Sequence, residues 1–150
     1  MADAIKILHD IVKDNWTNAN TDSITPQFFY GEVIPGTTES DAKRLDLREK
    51  AAVRFYMTDP AEIVPNGFGT KSQRETYIIQ VDIRTMKSRV HCRKIIDEVR
   101  RICNSRIIAP NSSFDILDLT EERDESNNNT GLWRWILKFN LINYNKARAT

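Results

Sequence analysis

The chain has 150 residues, 29% of them charged, and its 22 Lys and Arg nearly cancel its 21 Asp and Glu. A chain of this length folds as one domain that buries roughly 70% of the surface it would expose unfolded, so it needs no disulfide or metal staple. The balanced charge excludes a polyanion binder acting through net charge alone, and any basic region is therefore local.

Asp3 is placed to cap a first helix in which Ile5, Leu8, Ile11 and Val12 share a face, and the polar run from Asn15 ends it. Charges interrupt this start throughout, so it does not read as a secretory signal, and no run approaches the length of a membrane span. The expectation is a protein made and kept in the cytosol, in which the glycosylation-type matches at Asn15, Asn111 and Asn128 arise by chance. After Pro26, FFYGEVI alternates as a short strand, and Pro35-Gly36 opens a polar loop to Lys43. Ala51 to Met57 is a second strand, with Val53, Phe55 and Met57 against Arg54 and Tyr56, closed by Pro60. The connection 59–75 has no sustained period and is expected to be a mobile, functional loop.

The clearest pattern is TYIIQVDIRT, residues 76–85. Tyr77, Ile79, Val81 and Ile83 point to one face, while Thr76, Gln80, Asp82 and Arg84 point to the other. Within three residues the period then changes from two to about 3.6. Cys92, Ile95, Ile96, Val99, Ile102 and Cys103 form an apolar stripe opposite Arg89, Arg93, Lys94, Asp97, Arg100 and Arg101, so this helix is expected to lie on the sheet. FDILDLT supplies a fourth strand, and 121–131 is too polar to bury and expected to be mobile. The last strand, Leu132 to Tyr144, places Trp133, Trp135, Leu137, Phe139 and Leu141 on one face. The order is αβββαββ, an α+β single domain with a mostly antiparallel sheet flanked by two helices.

Catalytic chemistry finds little footing. No glycine-rich phosphate cradle precedes a helix, and Asn66-Gly67-Phe68-Gly69 reads as turn chemistry. No serine sits in a GxSxG elbow, and His91 and Cys92 are helix neighbours that do not face each other. Cys92 and Cys103 lie about 16 Å apart along one helix, too far for a disulfide, and two histidines assemble no zinc site. Asp82 with Glu98 is the one acidic pair that suggests a metal-dependent nuclease. The simpler reading is that Asp82 and Arg84, two apart on a polar face, make salt bridges across neighbouring strands or to another subunit. The cluster Arg89, Arg93, Arg100 and Arg101 is interrupted by Asp97 and Glu98; such a face is most often solvated, next most often a subunit contact, and only third a DNA-reading surface. The candidate site is thus a subunit interface comprising Asp82, Arg84, Arg89, Arg93, Arg100 and Arg101, with no catalytic residue, cofactor or metal expected.

Taken together, NWTNANTDSITPQF after the first helix, the strand ending VDIRT, the helix with KIIDEVRRI and the closing GLWRWILKFNLINYNKAR resemble the tail terminator (tail completion) family of neck proteins in long-tailed bacteriophages. The resemblance covers nearly the whole chain. It implies a non-enzymatic virion protein, usually a hexameric ring, that caps the tail tube and joins it to the head-side connector or stopper protein. It also implies assembly in the host cytoplasm, residence in the virion neck, genomic DNA passing through the lumen without sequence-specific binding, and no membrane partner. A head-completion role shares the same plan. A small nucleic-acid-binding or nuclease domain is the alternative from another class, and it requires the arginines to converge into a groove.

Overall fold

The computed structural model describes residues 4–30, 48–58, 60–65, 73–104, 116–127 and 129–145. The elements are α1 (Ala4–Asp14), a 3-10 turn (Asn18–Thr21), β1 (Gln27–Tyr30), β2 (Ala51–Tyr56), β3 (Glu62–Pro65), β4 (Gln73–Thr85), α2 (Arg89–Asn104), β5 (Ile116–Asp124) and β6 (Trp133–Asn145). The fold is α+β in the expected order, with one addition. The span 59–75 contains the short strand β3, which pairs antiparallel with the start of β4. Its Glu62, Ile63 and Pro65 are exposed, so no burial pattern marks it in the sequence. The expected cap at Asp3, the end of the FFYGEVI strand beyond Tyr30 and the expected loop from Pro35 to Lys43 lie outside the described residues.

The sheet order is β1-β2-β4-β6-β5, with β3 beside β4. β1 runs parallel to β2, and every other pairing is antiparallel. β4 and β6 form the spine, thirteen residues each, paired without a break from Gln73↔Asn145 to Thr85↔Trp133. At about 3.3 Å per residue that ribbon is roughly 43 Å long. Alternation puts Ile79, Val81 and Ile83 of β4 on the same face as Trp135, Leu137, Phe139 and Leu141 of β6, and that face is the core.

Both helices cover this face. α1 packs over β1 and β2, while α2 packs over β4, β6 and β5. Leu8 and Val12 of α1 and Ile95, Ile96, Val99 and Ile102 of α2 are buried as their spacing requires. The strand-to-helix turn is closed by side chains. Thr85 Oγ1 donates to Lys50 O at 3.0 Å and accepts from Lys87 N at 3.2 Å, and Ser88 Oγ accepts the His91 N–H at 3.0 Å as the N-cap of α2. No glycine is needed there.

β5 runs to Asp124, further than its apolar pattern, because a bulge between Leu119 and Glu121 changes which side chains face the helices. Before it, Leu119 pairs with Phe139 on the core face; beyond it, Glu122 pairs with Leu137 on that same face, and Glu121 with Lys138 on the other. Thr120, the extra residue, donates its hydroxyl to Lys138 O at 3.1 Å.

Candidate functional site

Strand parity sends Asp82 to the face away from the helices, where no described element packs. Its side chain is wholly buried nonetheless. Arg84, two residues along β4, donates Nη2–H to Oδ2 at 2.9 Å, with Nε within 3.4 Å of both oxygens. Arg134 of β6 donates Nε–H to Oδ1 at 3.1 Å and Nη2–H to Oδ2 at 3.0 Å. Arg84 and Arg134 are direct cross-strand partners, an arrangement of like charges that destabilises a sheet unless an anion intervenes. Asp82 supplies that anion and holds the Arg134 guanidinium above its ordinary pKa. Arg54 of β2 is the register partner of Asp82 on the other side.

On the helix side, the bulge aims Glu122 at α2, where it pairs with Arg100 and lies 3.7 Å from Arg93. The same carboxylate accepts Trp135 Nε1–H at 2.8 Å, and the Arg93 guanidinium lies 5.5 Å from the Trp135 ring centre. Arg101 pairs with Glu98, whose side chain is fully buried. Glu98 also accepts Thr17 N–H at 2.9 Å and reaches Asn20 Nδ2 at 3.3 Å. Burial pushes the Glu98 carboxyl up, but Arg101, the Thr17 N–H and Asn20 outweigh it and hold the group below the ordinary glutamate range.

A second anchor lies one turn toward the start of α2. Asp22 accepts from Lys94 and sits 3.1 Å from Nδ1 of the buried His91; Lys94 and then His91 hold its carboxyl below the usual range. Asp22 and Ser23 adopt consecutive left-handed conformations, with φ of 56° and 61°, each costing an L-residue about 1–2 kcal/mol. These ion pairs clamp that strained corner onto the helix.

The sequence-predicted residues therefore fall into two groups on opposite faces of the sheet. Asp82 and Arg84 are together on one. Arg93 and Arg100 meet on Glu122 on the other, Arg101 is engaged by Glu98, and Arg89 is exposed at the start of α2. The pair weighed as a metal centre, Asp82 and Glu98, is separated by the sheet, and each carboxylate is occupied by arginine. The thiols of Cys92 and Cys103 are pushed up to about 12, chiefly by burial, so neither supplies a thiolate at neutral pH. Sequence reasoning missed Arg134, Glu122 and Asp22. Arg134 was readable as polar-face from its place between two tryptophans, but its meeting with Asp82 depends on strand register.

No family model matches this chain, and no curated protein does. Among solved structures, the chain is similar to one in the virion of a native gene transfer agent particle, with a TM-score of 0.59 at 10% identity. The likeness spans 95% of this chain and 99% of the other. It establishes a shared fold over essentially the full length of both.

Proposed function

We propose that this is a structural virion protein of the neck, forming a ring, most simply a hexamer, that caps the tail tube and joins it to the head-side connector. The observation that carries the reading is the fold it shares, end to end, with a chain of a gene transfer agent virion. Near-complete coverage of both chains supports a self-contained building block rather than a module borrowed by an enzyme. Within that reading, the subunit contact is assigned to the α2 face through Arg89, Arg93 and Arg101, with Arg100 braced by Glu122. Asp82 acts inside the subunit, holding Arg84. The connections between β2 and β4 and between β5 and β6 are assigned to the tube and the connector.

A head-to-tail contact between identical subunits closes into a ring or propagates as a filament, according to its rotation. Native mass spectrometry of protein released from intact particles is expected to show a closed ring. A defined dimer there excludes the reading. Deleting the gene is expected to leave filled heads and unjoined tails, some abnormally long, in electron micrographs of the lysate. Ordinary joined particles exclude a neck role. Tails of normal length beside leaking heads assign the chain to head completion instead.

A further inference from the structure

On the sheet face away from the helices, the described residues around Asp82 carry more positive charge than they balance. Arg54, Arg84 and Arg134 surround Asp82 on three adjacent strands, and Asp82 is the only carboxylate among the described residues that bonds any of them. The next acid, Glu125, acts on Arg134 through charge alone and lies 3.8 Å from Arg123. Among the described residues, three guanidiniums thus share one bonded carboxylate. Arg84 and Arg134 each spend Nε and Nη2 on Asp82, so each guanidinium keeps its Nη1 edge unbonded while remaining 24% and 30% exposed. Arg54 makes no ion pair with a described residue. Its guanidinium lies over the Tyr56 ring, 4.2 Å from the centre, and its Nε is shut away from solvent with no hydrogen-bond partner.

Asp82 holds the guanidiniums of Arg84 and Arg134, and the Tyr56 ring holds that of Arg54 on the neighbouring strand β2. Fixed guanidiniums with free donor edges match an oxyanion with several acceptor oxygens, and they spend little conformational freedom on binding it. We propose that Arg54, Arg84 and Arg134 form a binding site for an oxyanion of the phosphate class. This assignment does not depend on the ring or on the α2 contact proposed above, since it uses the opposite face of the sheet.

The test follows the arginine Nε–H resonances of the full chain by NMR while inorganic phosphate is added, with chloride at matched ionic strength as the control. Saturable shifts at Arg54, Arg84 and Arg134 with phosphate, and none at Arg101, are expected, because Glu98 holds Arg101 on the other face. Arg54→Gln shares no bond with Asp82, so it should fold and melt like the parent while binding phosphate roughly tenfold more weakly, the loss of one charge-assisted contact. Equal movement of all arginine signals in phosphate and in chloride overturns the site, as does unchanged affinity in Arg54→Gln. A short DNA duplex added in parallel separates the sources. Duplex that shifts the same three signals and is displaced by phosphate identifies a phosphodiester backbone, whereas binding of phosphate alone identifies a free phosphate-class ligand.

Discussion

Asp82 and Glu98 are both fully buried carboxylates clamped by arginine, yet they do different work. The partners of Asp82 come from β4 and β6, two strands locked together over thirteen register pairs. The backbone around it is already paired, and the carboxylate cancels a repulsion that the register itself creates between Arg84 and Arg134. Besides Arg101 on its own helix, the partners of Glu98 come from the segment between α1 and β1, where Thr17 and Asn20 have no strand to pair with. Here the carboxylate substitutes for missing secondary structure. One group is electrostatic glue inside a rigid element, and the other ties an irregular segment to a helix.

The largest test of this contrast is Asp82→Ala. It leaves two arginines directly opposed with nothing between them, and removing one partner of a buried ionic cluster costs about 3–5 kcal/mol. Because both arginines are partly solvated, the lower end of that range is expected in urea unfolding. Replacing Asp82, Arg84 and Arg134 together by apolar residues of similar volume should recover most of the loss, since the cluster then has no charge to balance. If the triple variant stays as unstable as Asp82→Ala, shape rather than charge holds that face.

Glu98→Ala should cost less, about 1.5–3 kcal/mol for hydrogen bonds to a charged group, and its damage should be local. Amide exchange at Thr17 and through the 3-10 turn should accelerate, while amides of β4 and β6 keep their protection. Uniform loss of protection would erase the distinction between the two carboxylates.

The same contrast explains what could be read from the residues. Period-two alternation in β4 and β6 and the 3.6 stripe of α2 placed the core side chains correctly, because burial on one face leaves a repeating mark. Trp135, Leu137, Phe139 and Leu141 are all buried as their spacing required. Register leaves no such mark: nothing local in Asp82 or Arg134 says they meet across a strand boundary. A bulge at Thr120 is equally silent, although it decides that Glu122, and not Glu121, joins α2. His9 shows the limit in another way: nothing in the helical spacing marks it for burial, yet it lies 6% exposed among the rings of Phe28, Tyr30 and Phe55. The placement of the six predicted interface residues on two opposite faces was not legible for the same reason: it comes from topology.

The smallest expected effect is the acid response of the Glu98 tether. Burial raises the Glu98 carboxyl, and Arg101, Thr17 and Asn20 lower it by more, so its folded-state value lies below the ordinary 4.5. A depressed carboxylate contributes stability that is fully present above its unfolded value and is lost as pH falls through its folded value. Asp22, held low by Lys94 and then by His91, follows the same sign and tethers the same segment to α2. Acidification below pH 4.5 should therefore loosen the segment 15–23 from α2. Glu98→Gln keeps an acceptor for the Thr17 N–H but cannot titrate, so the parent's stability advantage over this variant should be constant above pH 4.5 and shrink below it. Amide exchange at Thr17 against amides of β4, measured in both proteins down the acid range, reads the effect directly. An advantage that stays constant across that range would mean the Glu98 charge contributes nothing, and that neutral hydrogen bonds alone hold the segment in place.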